Sequence, residues 1–235
     1  MRVQKPKKTM TDRELSFLKE HFDGDELEKA KSRVESGEPL AYVIGEWYFW
    51  DDTFKLNTSC LIPRPDTEHL VEHGLKHIKT GDSIADLCCG SGCIGLSVLK
   101  HTKDTTCTFV DISDEALDMT RLNAERMGLS DRCSFICQDI LKDKVKGDFD
   151  VIFSNPPYIQ SEVVSTLEVT KHEPRIALDG GADGMDFYRV LVRDYDPRVM
   201  ILEIGYDQQD DIQALCDCKV YKDYGGNPRV AIIER

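Results

Sequence analysis

The sequence predicts an α/β protein organised on an open, mostly parallel sheet, and three observations carry that prediction. From residue 82 onward, short β-prone runs alternate with segments of helical periodicity. The first run leads through a glycine turn, Gly90-Ser91-Gly92, into the first helical segment. Three later runs stop at a polar side chain: Asp111, Asp139 and Asn155. In open α/β sheets ligands bind beyond the carboxyl ends of the strands, where the strand order reverses. The strand ends are therefore where functional residues are sought.

Length and composition set the bounds. The chain has 235 residues, 40% hydrophobic and 31% charged, enough for one domain with an appendage and a large core. No apolar stretch approaches the roughly 18 residues of a membrane span, and the basic start, Met1 to Thr11, has no apolar segment behind it, so the expected compartment is the cytoplasm. The net charge of −13 argues against broad binding to nucleic acid, which depends on neutralising phosphates. A local basic patch at Arg2, Lys5, Lys7 and Lys8 is read as a solvated terminus. Nine cysteines show no zinc-type spacing and are expected to be reduced thiols used as small apolar residues, with no structural metal.

Taken in order, residues 12 to 36 carry apolar side chains at spacings of three and four, divided at Asp23-Gly24-Asp25 into two short helices and ended by Gly37-Glu38-Pro39. Residues 40 to 63 are aromatic and β-prone, with a hairpin over roughly 46 to 57 that turns at Asp51-Asp52. Pro63 and Pro65 hold the next piece extended, and Asp66 or Thr67 is placed to cap a helix running to about His77. Five strands follow: Ser83 to Cys88, Thr106 to Val110, Cys133 to Cys137, Asp150 to Ser154 and Val199 to Glu203. Helices are expected over Ile94 to Lys100, Asp114 to Met127 and Gln208 to Cys216, and two last strands over Val220 to Lys222 and Val230 to Ile233. This divides the chain into a helical appendage (1–38), a hairpin linker (39–68) and a main domain (69–235).

The strand ends form a constellation. The glycine turn is neither GxGxxG nor a P-loop, so neither a dinucleotide nor a triphosphate is favoured. Asp111 lies about 20 residues beyond the glycines, where a carboxylate can accept both hydroxyls of a ribose; in isolation it serves equally as a helix cap near Ser113. Asp139 can accept from an adenine amino group or act as a solvated turn residue. An adenosine held in this way suggests S-adenosylmethionine. Beyond the fourth strand, Asn155-Pro156-Pro157-Tyr158 makes a stiff corner, because neither proline can donate to a sheet. It offers an amide, free carbonyls and an aromatic ring, the equipment to grip a planar N–H group. On residues alone the acceptor is open between a base and an amide, or the corner is a plain turn.

The chain resembles the bacterial peptide chain release factor glutamine N5-methyltransferases. The resemblance rests on Glu38 to Gly45 (EPLAYVIG), Ile62 to Glu68 (IPRPDTE), the NPPY corner, Glu173 to Leu178 (EPRIAL), Gly180 to Met185 and Glu203-Ile204-Gly205. It implies a Rossmann-like, seven-stranded class I methyltransferase sheet and S-adenosylmethionine as cofactor. It further implies that Asp86, Leu87, Cys88, Cys89, Gly90 and Gly92 hold the methionine part, Asp111 the ribose, and Asp139 and Ile140 the adenine. Asn155 then meets both cofactor and substrate, while Pro156, Pro157, Tyr158 and Arg64 hold the substrate, with Asn155, Pro156 and Tyr158 as the catalytic set. The implied substrate is the glutamine of the Gly-Gly-Gln loop of class I release factors, bound by a monomer without stable nucleic-acid contacts. The alternatives are an N6-adenine or N2-guanine amino methyltransferase of DNA or RNA, and a ribosomal-protein glutamine methyltransferase. Two departures stand out: the family has glycine where this chain has Cys88, and the N-terminal helical region is short.

Overall fold

A computed structural model describes residues 9–235; the basic patch at the start of the chain lies outside the described residues. Two helices, α1 (Asp12–His21) and α2 (Gly24–Glu35), open it. Thr11 and Glu14 form a reciprocal capping box on α1, each side chain satisfying the other's backbone N–H. Leu18, Ala30 and Val34 form a small core of their own with Val43.

Val43 lies on α3 (Leu40–Ile44), a helix where the aromatic, β-branched composition predicts extended chain. Local punctuation overrides that propensity. Pro39 precedes the first turn, and Gly45 ends it in the left-handed region (φ 79°), its N–H returning to the Ala41 carbonyl. The helix also has two apolar faces to bury: Val43 packs on α1 and α2, while Ala41 and Tyr42 pack on Leu56, Cys60 and Ile62. The expected hairpin follows as β1 (Glu46–Phe49) and β2 (Asp52–Lys55). Its turn is Trp50-Asp51 rather than Asp51-Asp52, with Trp50 at φ 60° and its N–H donated to Glu68.

The remaining elements are α4 (Glu68–Gly74), β3 (Ser83–Leu87), α5 (Cys93–Lys100), β4 (Thr106–Asp111), α6 (Asp114–Arg126), β5 (Cys133–Cys137), β6 (Val151–Ser154), the one-turn α7 (Ser161–Val164), α8 (Asp186–Asp194), β7 (Val199–Glu203), α9 (Gln209–Leu215), β8 (Lys219–Lys222) and β9 (Pro228–Glu234). Helix α4 stops short of the expected His77, and neither Asp66 nor Thr67 caps it: Pro65–Thr67 is a 3-10 turn without a side-chain cap bond. The seven strands lie in the order β5-β4-β3-β6-β7-β9-β8. β3 to β7 are mutually parallel, and β9 and β8 close the edge antiparallel. The chain moves outward from β3 to β5 and returns to β6, so the order reverses between β3 and β6. That is the point at which a ligand crevice forms.

Both faces of the sheet are covered, and side-chain parity sorts residues between them. Ile84, Phe109, Phe153 and Ile201 face one core with residues of α4, α5 and α6. Leu87, Val110, Ile152, Met200 and Leu202 face the other, with Tyr188 and Leu191 of α8 and Ile212 of α9. All nine cysteines are free thiols, and Cys60, Cys89, Cys93 and Cys107 are buried as small apolar side chains.

The turn after β3 contains the principal backbone anomaly. Cys88 sits at φ 63°, in the left-handed region, where a side chain costs about 1–2 kcal/mol and glycine nothing. This is the position at which the resembling family has glycine. Cys88→Gly is expected to raise stability by about 1 kcal/mol, because relief of strain outweighs the added freedom of the unfolded chain. Cys88→Ala keeps the Cβ and gives no such gain. Thermal denaturation of the two variants beside the parent checks this.

Candidate active site

Beyond the ends of β3, β4, β5 and β6 lies a cavity of about 530 Å³, within the size range of small-molecule sites. Its floor is the turn Cys88-Cys89-Gly90-Ser91. The turn is locked from below by a side chain of α6: Asn123 accepts from Lys55 N–H at 2.7 Å and donates to the Lys55 and Ser91 carbonyls. Gly90 also sits at positive φ (56°), and a Cβ built there meets no protein atom, so the backbone is bare to the cavity.

One wall is the end of β4. Asp111 accepts the Gly90 N–H at 2.9 Å through Oδ2 and the Ser113 N–H at 3.0 Å through Oδ1. Ser113 itself caps α6, so the cap function suggested for Asp111 belongs to its neighbour. A carboxylate has about four acceptor positions, and Asp111 uses two on backbone, which leaves each oxygen able to accept a ligand hydroxyl. Burial raises its pKa, opposed by those backbone N–H groups. Ile112, Gln138, Asp139, Ile140 and Leu141 complete this end. The Asp139 carboxylate is already engaged with the Leu141 N–H and with Lys142, so it closes the turn as well as lining the cavity.

At the opposite end stands Asn155. Its Nδ2 donates to Thr67 Oγ1 at 3.3 Å, which leaves Oδ1 free as an acceptor. The corner is braced by the segment that follows. Ile159 pairs with Asp179 in a parallel bridge, its N–H bonded to the Leu178 carbonyl and its carbonyl to Gly180 N–H. A Cβ on Gly180 would lie 2.7 Å from the Pro157 carbonyl oxygen, so only glycine permits this approach. Arg175, Ile176, Ala177 and Asp179 therefore close over the cavity. The closure is tied across it by Glu173, which is buried, accepts from Arg64 Nη2 at 2.6 Å and is 3.3 Å from the Ile62 N–H. Glu173→Ala is expected to free this segment, visible as faster limited proteolysis within residues 159–180. Glu173→Gln, which keeps the acceptor for Ile62, is expected to be less affected.

Of the residues expected at the site, Arg64, Cys88, Cys89, Gly90, Asp111, Asp139, Ile140, Asn155 and Pro157 line the cavity, whereas Asp86, Leu87, Gly92, Pro156 and Tyr158 do not. Each of the five has a physical reason. Asp86 points to the opposite side of β3 from Leu87 and accepts the Gly95 N–H in the first turn of α5. It is fully buried, its Oδ1 has no partner, and burial lifts its carboxyl to about 7. Leu87 is core. Gly92 faces α6, where a Cβ would strike Thr120 at 2.5 Å. Pro156 is buried behind the corner. Tyr158 turns its ring into the core beneath the sheet and its hydroxyl to Glu203 at 3.3 Å, supporting the corner from behind instead of facing the cavity.

The comparisons with known proteins fit this geometry. A family model described as "Methyltransferase small domain" matches residues 65–172. The chain is 37% identical over 218 residues to a protein of Bradyrhizobium diazoefficiens named "Release factor glutamine methyltransferase", covering 88% of this chain and 70% of that one. A Caulobacter vibrioides protein of the same name is also 37% identical, over 94% of this chain and 80% of its own. The chain belongs to the release factor glutamine methyltransferase family. Among solved structures, the hMettl16 catalytic domain in complex with MAT2A 3′UTR hairpin 6 matches with a TM-score of 0.59 at 16% identity, over 76% of this chain and 73% of that one; this likeness is one of fold.

The fold is thus the Rossmann-like class I methyltransferase fold, and the cofactor of the family is S-adenosylmethionine. The donor set suits it. A bare glycine backbone, an acceptor-only carboxylate at Asp111 that can take hydroxyl protons, and the apolar side chains of Ile112, Ile140 and Leu141 all line one cavity. Among the described residues no group of three or more His, Cys, Asp or Glu is arranged to hold a metal ion, and no helix is long and apolar enough to cross a membrane.

Sequence reasoning missed several residues. Thr67, Phe187, Gln138 and Ser59 line the cavity, and Thr67 and Glu203 flank Asn155, Glu203 from outside the cavity. Glu203 had a signal: β6 and β7 run parallel with Ser154 opposite Leu202, so the residues following them, Asn155 and Glu203, are neighbours. Phe187 and Ser59 had none, since their segments carry no periodicity that points at the sheet.

Proposed function

We propose that this protein transfers a methyl group from S-adenosylmethionine to the side-chain amide nitrogen of a glutamine in a release factor, the glutamine of the Gly-Gly-Gln loop in class I factors. The observation that carries the reading is Asn155, whose amide nitrogen is occupied by Thr67 while its oxygen is left free to accept. S-adenosylmethionine, when bound, supplies an electrophilic methyl group on a sulfonium centre. The amide nitrogen of glutamine is a weak nucleophile, because its lone pair is delocalised into the carbonyl. Asn155 Oδ1 takes one of its N–H groups. The other is assigned to the Pro156 carbonyl; the Pro156 side chain is buried and does not line the cavity, so this role falls to its backbone oxygen alone, next to a residue, Pro157, that has no N–H. Two acceptors held in place orient the nitrogen and favour the positive charge that develops on it as the bond forms. As the N–CH3 bond forms at the expense of the S–CH3 bond the N–H becomes acidic, and its proton passes to solvent water, so no histidine is required.

In this reading Arg64 and the 173–179 segment enclose the substrate side chain, Asp111 takes the ribose hydroxyls, and Asp139 with Ile140 takes the adenine. Asp86 acts through the backbone of α5, by accepting the Gly95 N–H, rather than by touching the cofactor. The protein works as a cytoplasmic monomer. Its net charge of −13 favours a protein acceptor over a flipped base in DNA or RNA. Cofactor carrying a tritiated methyl group separates these acceptors. Label is expected in a purified class I release factor and absent from DNA, RNA and ribosomal proteins; label in nucleic acid alone overturns the reading.

A further inference from the structure

Beside Asn155 lies a buried polar set, of which the roles above use only the Thr67 bond to Asn155 and the Tyr158 bond to Glu203. Thr67 is 2% exposed and Glu203 is 2% exposed, yet both present polar atoms at the interior end of the Asn155 side chain. Thr67 Oγ1 accepts the Asn155 Nδ2–H. A hydroxyl that accepts there still has one proton to place, and Glu203, at the end of β7 next to Asn155, offers the nearby carboxylate, although no Thr67–Glu203 hydrogen bond is formed in this structure. Glu203 in turn accepts from the Tyr158 hydroxyl through Oε1, while Oε2 is buried without a hydrogen-bond partner. A buried carboxylate oxygen in need of a donor and a buried hydroxyl in need of an acceptor complete one another.

We infer that Thr67 and Glu203 are positioning residues for the methyl-acceptor site, and that they fix the Asn155 amide with its oxygen, not its nitrogen, toward the substrate. The inference rests on the role proposed above for Asn155. Its logic is directional. An ionised Glu203 can only accept, so the Thr67 proton points to it. The Thr67 lone pair then faces Asn155 and can bond only the NH2 side of that amide. A neutral Glu203 has a proton of its own to donate to Thr67. The Thr67 hydrogen then turns toward Asn155 and selects the carbonyl side, which rotates the NH2 group into the substrate position and removes the acceptor. In an unconstrained site the two faces of an asparagine amide are close in shape, so the ordering of donors decides between them.

The surroundings set where this reversal falls. Burial lifts the Glu203 carboxyl to about 7, opposed by Thr67, Arg229 and the Tyr158 hydroxyl and reinforced by Asp66. The Tyr188 hydroxyl donates to the Glu203 backbone carbonyl at 2.7 Å, and Cys93, a neutral thiol, is the remaining titratable neighbour. The sign is that of a raised acid: Glu203 accepts above about pH 7 and carries a proton below it.

Three variants test the inference, each with turnover on a release factor and cofactor affinity measured separately. Thr67→Val keeps the shape and removes the hydroxyl; Thr67→Ser keeps the hydroxyl. The expected result is a kcat at least tenfold below the parent for Thr67→Val, within about threefold for Thr67→Ser, and unchanged cofactor affinity in both. Parent kcat rises with pH through one ionisation near 7, and Glu203→Gln, which cannot titrate, loses that rise. Equal impairment of the valine and serine variants, parent-like turnover of the valine variant, or an unchanged pH profile in Glu203→Gln overturns the inference. Failure of the underlying reading has a different signature: Asn155→Ala then turns over like the parent, whatever Thr67 does.

Discussion

Asn155→Ala is expected to lower kcat for glutamine methylation by roughly 100-fold or more while leaving cofactor affinity within about twofold of the parent. The magnitude follows from what the side chain is asked to do. Its oxygen is one of two acceptors that orient the substrate amide, and removing a single preorganised group of this kind costs about two to three orders of magnitude in known sites. Cofactor affinity should be spared because the Asp111 carboxylate ends β4, two strands from Asn155, and neither it nor the turn at Cys88–Ser91 shares a hydrogen bond with Asn155. Isothermal titration with cofactor and single-turnover methylation separate the two quantities. Asn155→Asp provides a further check. A carboxylate retains an acceptor toward the substrate but offers Thr67 no N–H, so the variant should remain well below the parent.

Asp111→Ala is expected to act on the opposite property, weakening cofactor binding by roughly 10- to 100-fold with a smaller effect on kcat at saturating cofactor. Hydrogen bonds to a charged group contribute about 1.5–3 kcal/mol each, and each 1.4 kcal/mol is tenfold in affinity. Asp111 also holds the Gly90 and Ser113 N–H groups, so its loss loosens the turn that forms the floor. Asp111→Asn keeps one acceptor oxygen for those contacts and should fall between alanine and the parent. Titration of cofactor into the three proteins, with a thermal melt of each cofactor-free protein to report on the turn, checks the order.

Much of the sheet was legible because its strands are short apolar runs bounded by Gly, Asp or Asn, and the helices between them keep a clear period. What failed did so for identifiable reasons. Leu40–Ile44 reads as strand by composition, but Pro39 and Gly45 fix both ends of a helix whose two apolar faces are satisfied by different neighbours. The resemblance implies Asp86 at the cofactor. Strand parity assigns it instead to the face of Ile84, and there its carboxylate meets the start of α5. Tyr158 looked like the aromatic lid of a clamp, yet its hydroxyl has a buried carboxylate to satisfy and its ring a core to fill. The closing segment over residues 173–179 has no periodicity. It was visible only through the EPRIAL resemblance, because its structure depends on the partnership of Glu173 with Arg64 and Ile62 more than 100 positions away in sequence.

The anomaly at Cys88 links these observations. The resembling family has glycine where the backbone here is left-handed, and this chain carries a side chain at that cost. The strain lies in the floor of the cavity proposed to hold the cofactor, so its relief in Cys88→Gly is expected to show in stability and cofactor affinity together.

The central claim is that the acceptor is a glutamine amide. Its most direct test is mass spectrometry of a class I release factor incubated with the protein and S-adenosylmethionine, with fragmentation of the peptide that spans the Gly-Gly-Gln loop. The account predicts one added methyl group, located on the glutamine side chain and missing when the Asn155→Ala variant replaces the parent. A methyl group on any other residue, or an unmodified loop under conditions in which the protein binds cofactor and methylates another substrate, contradicts it.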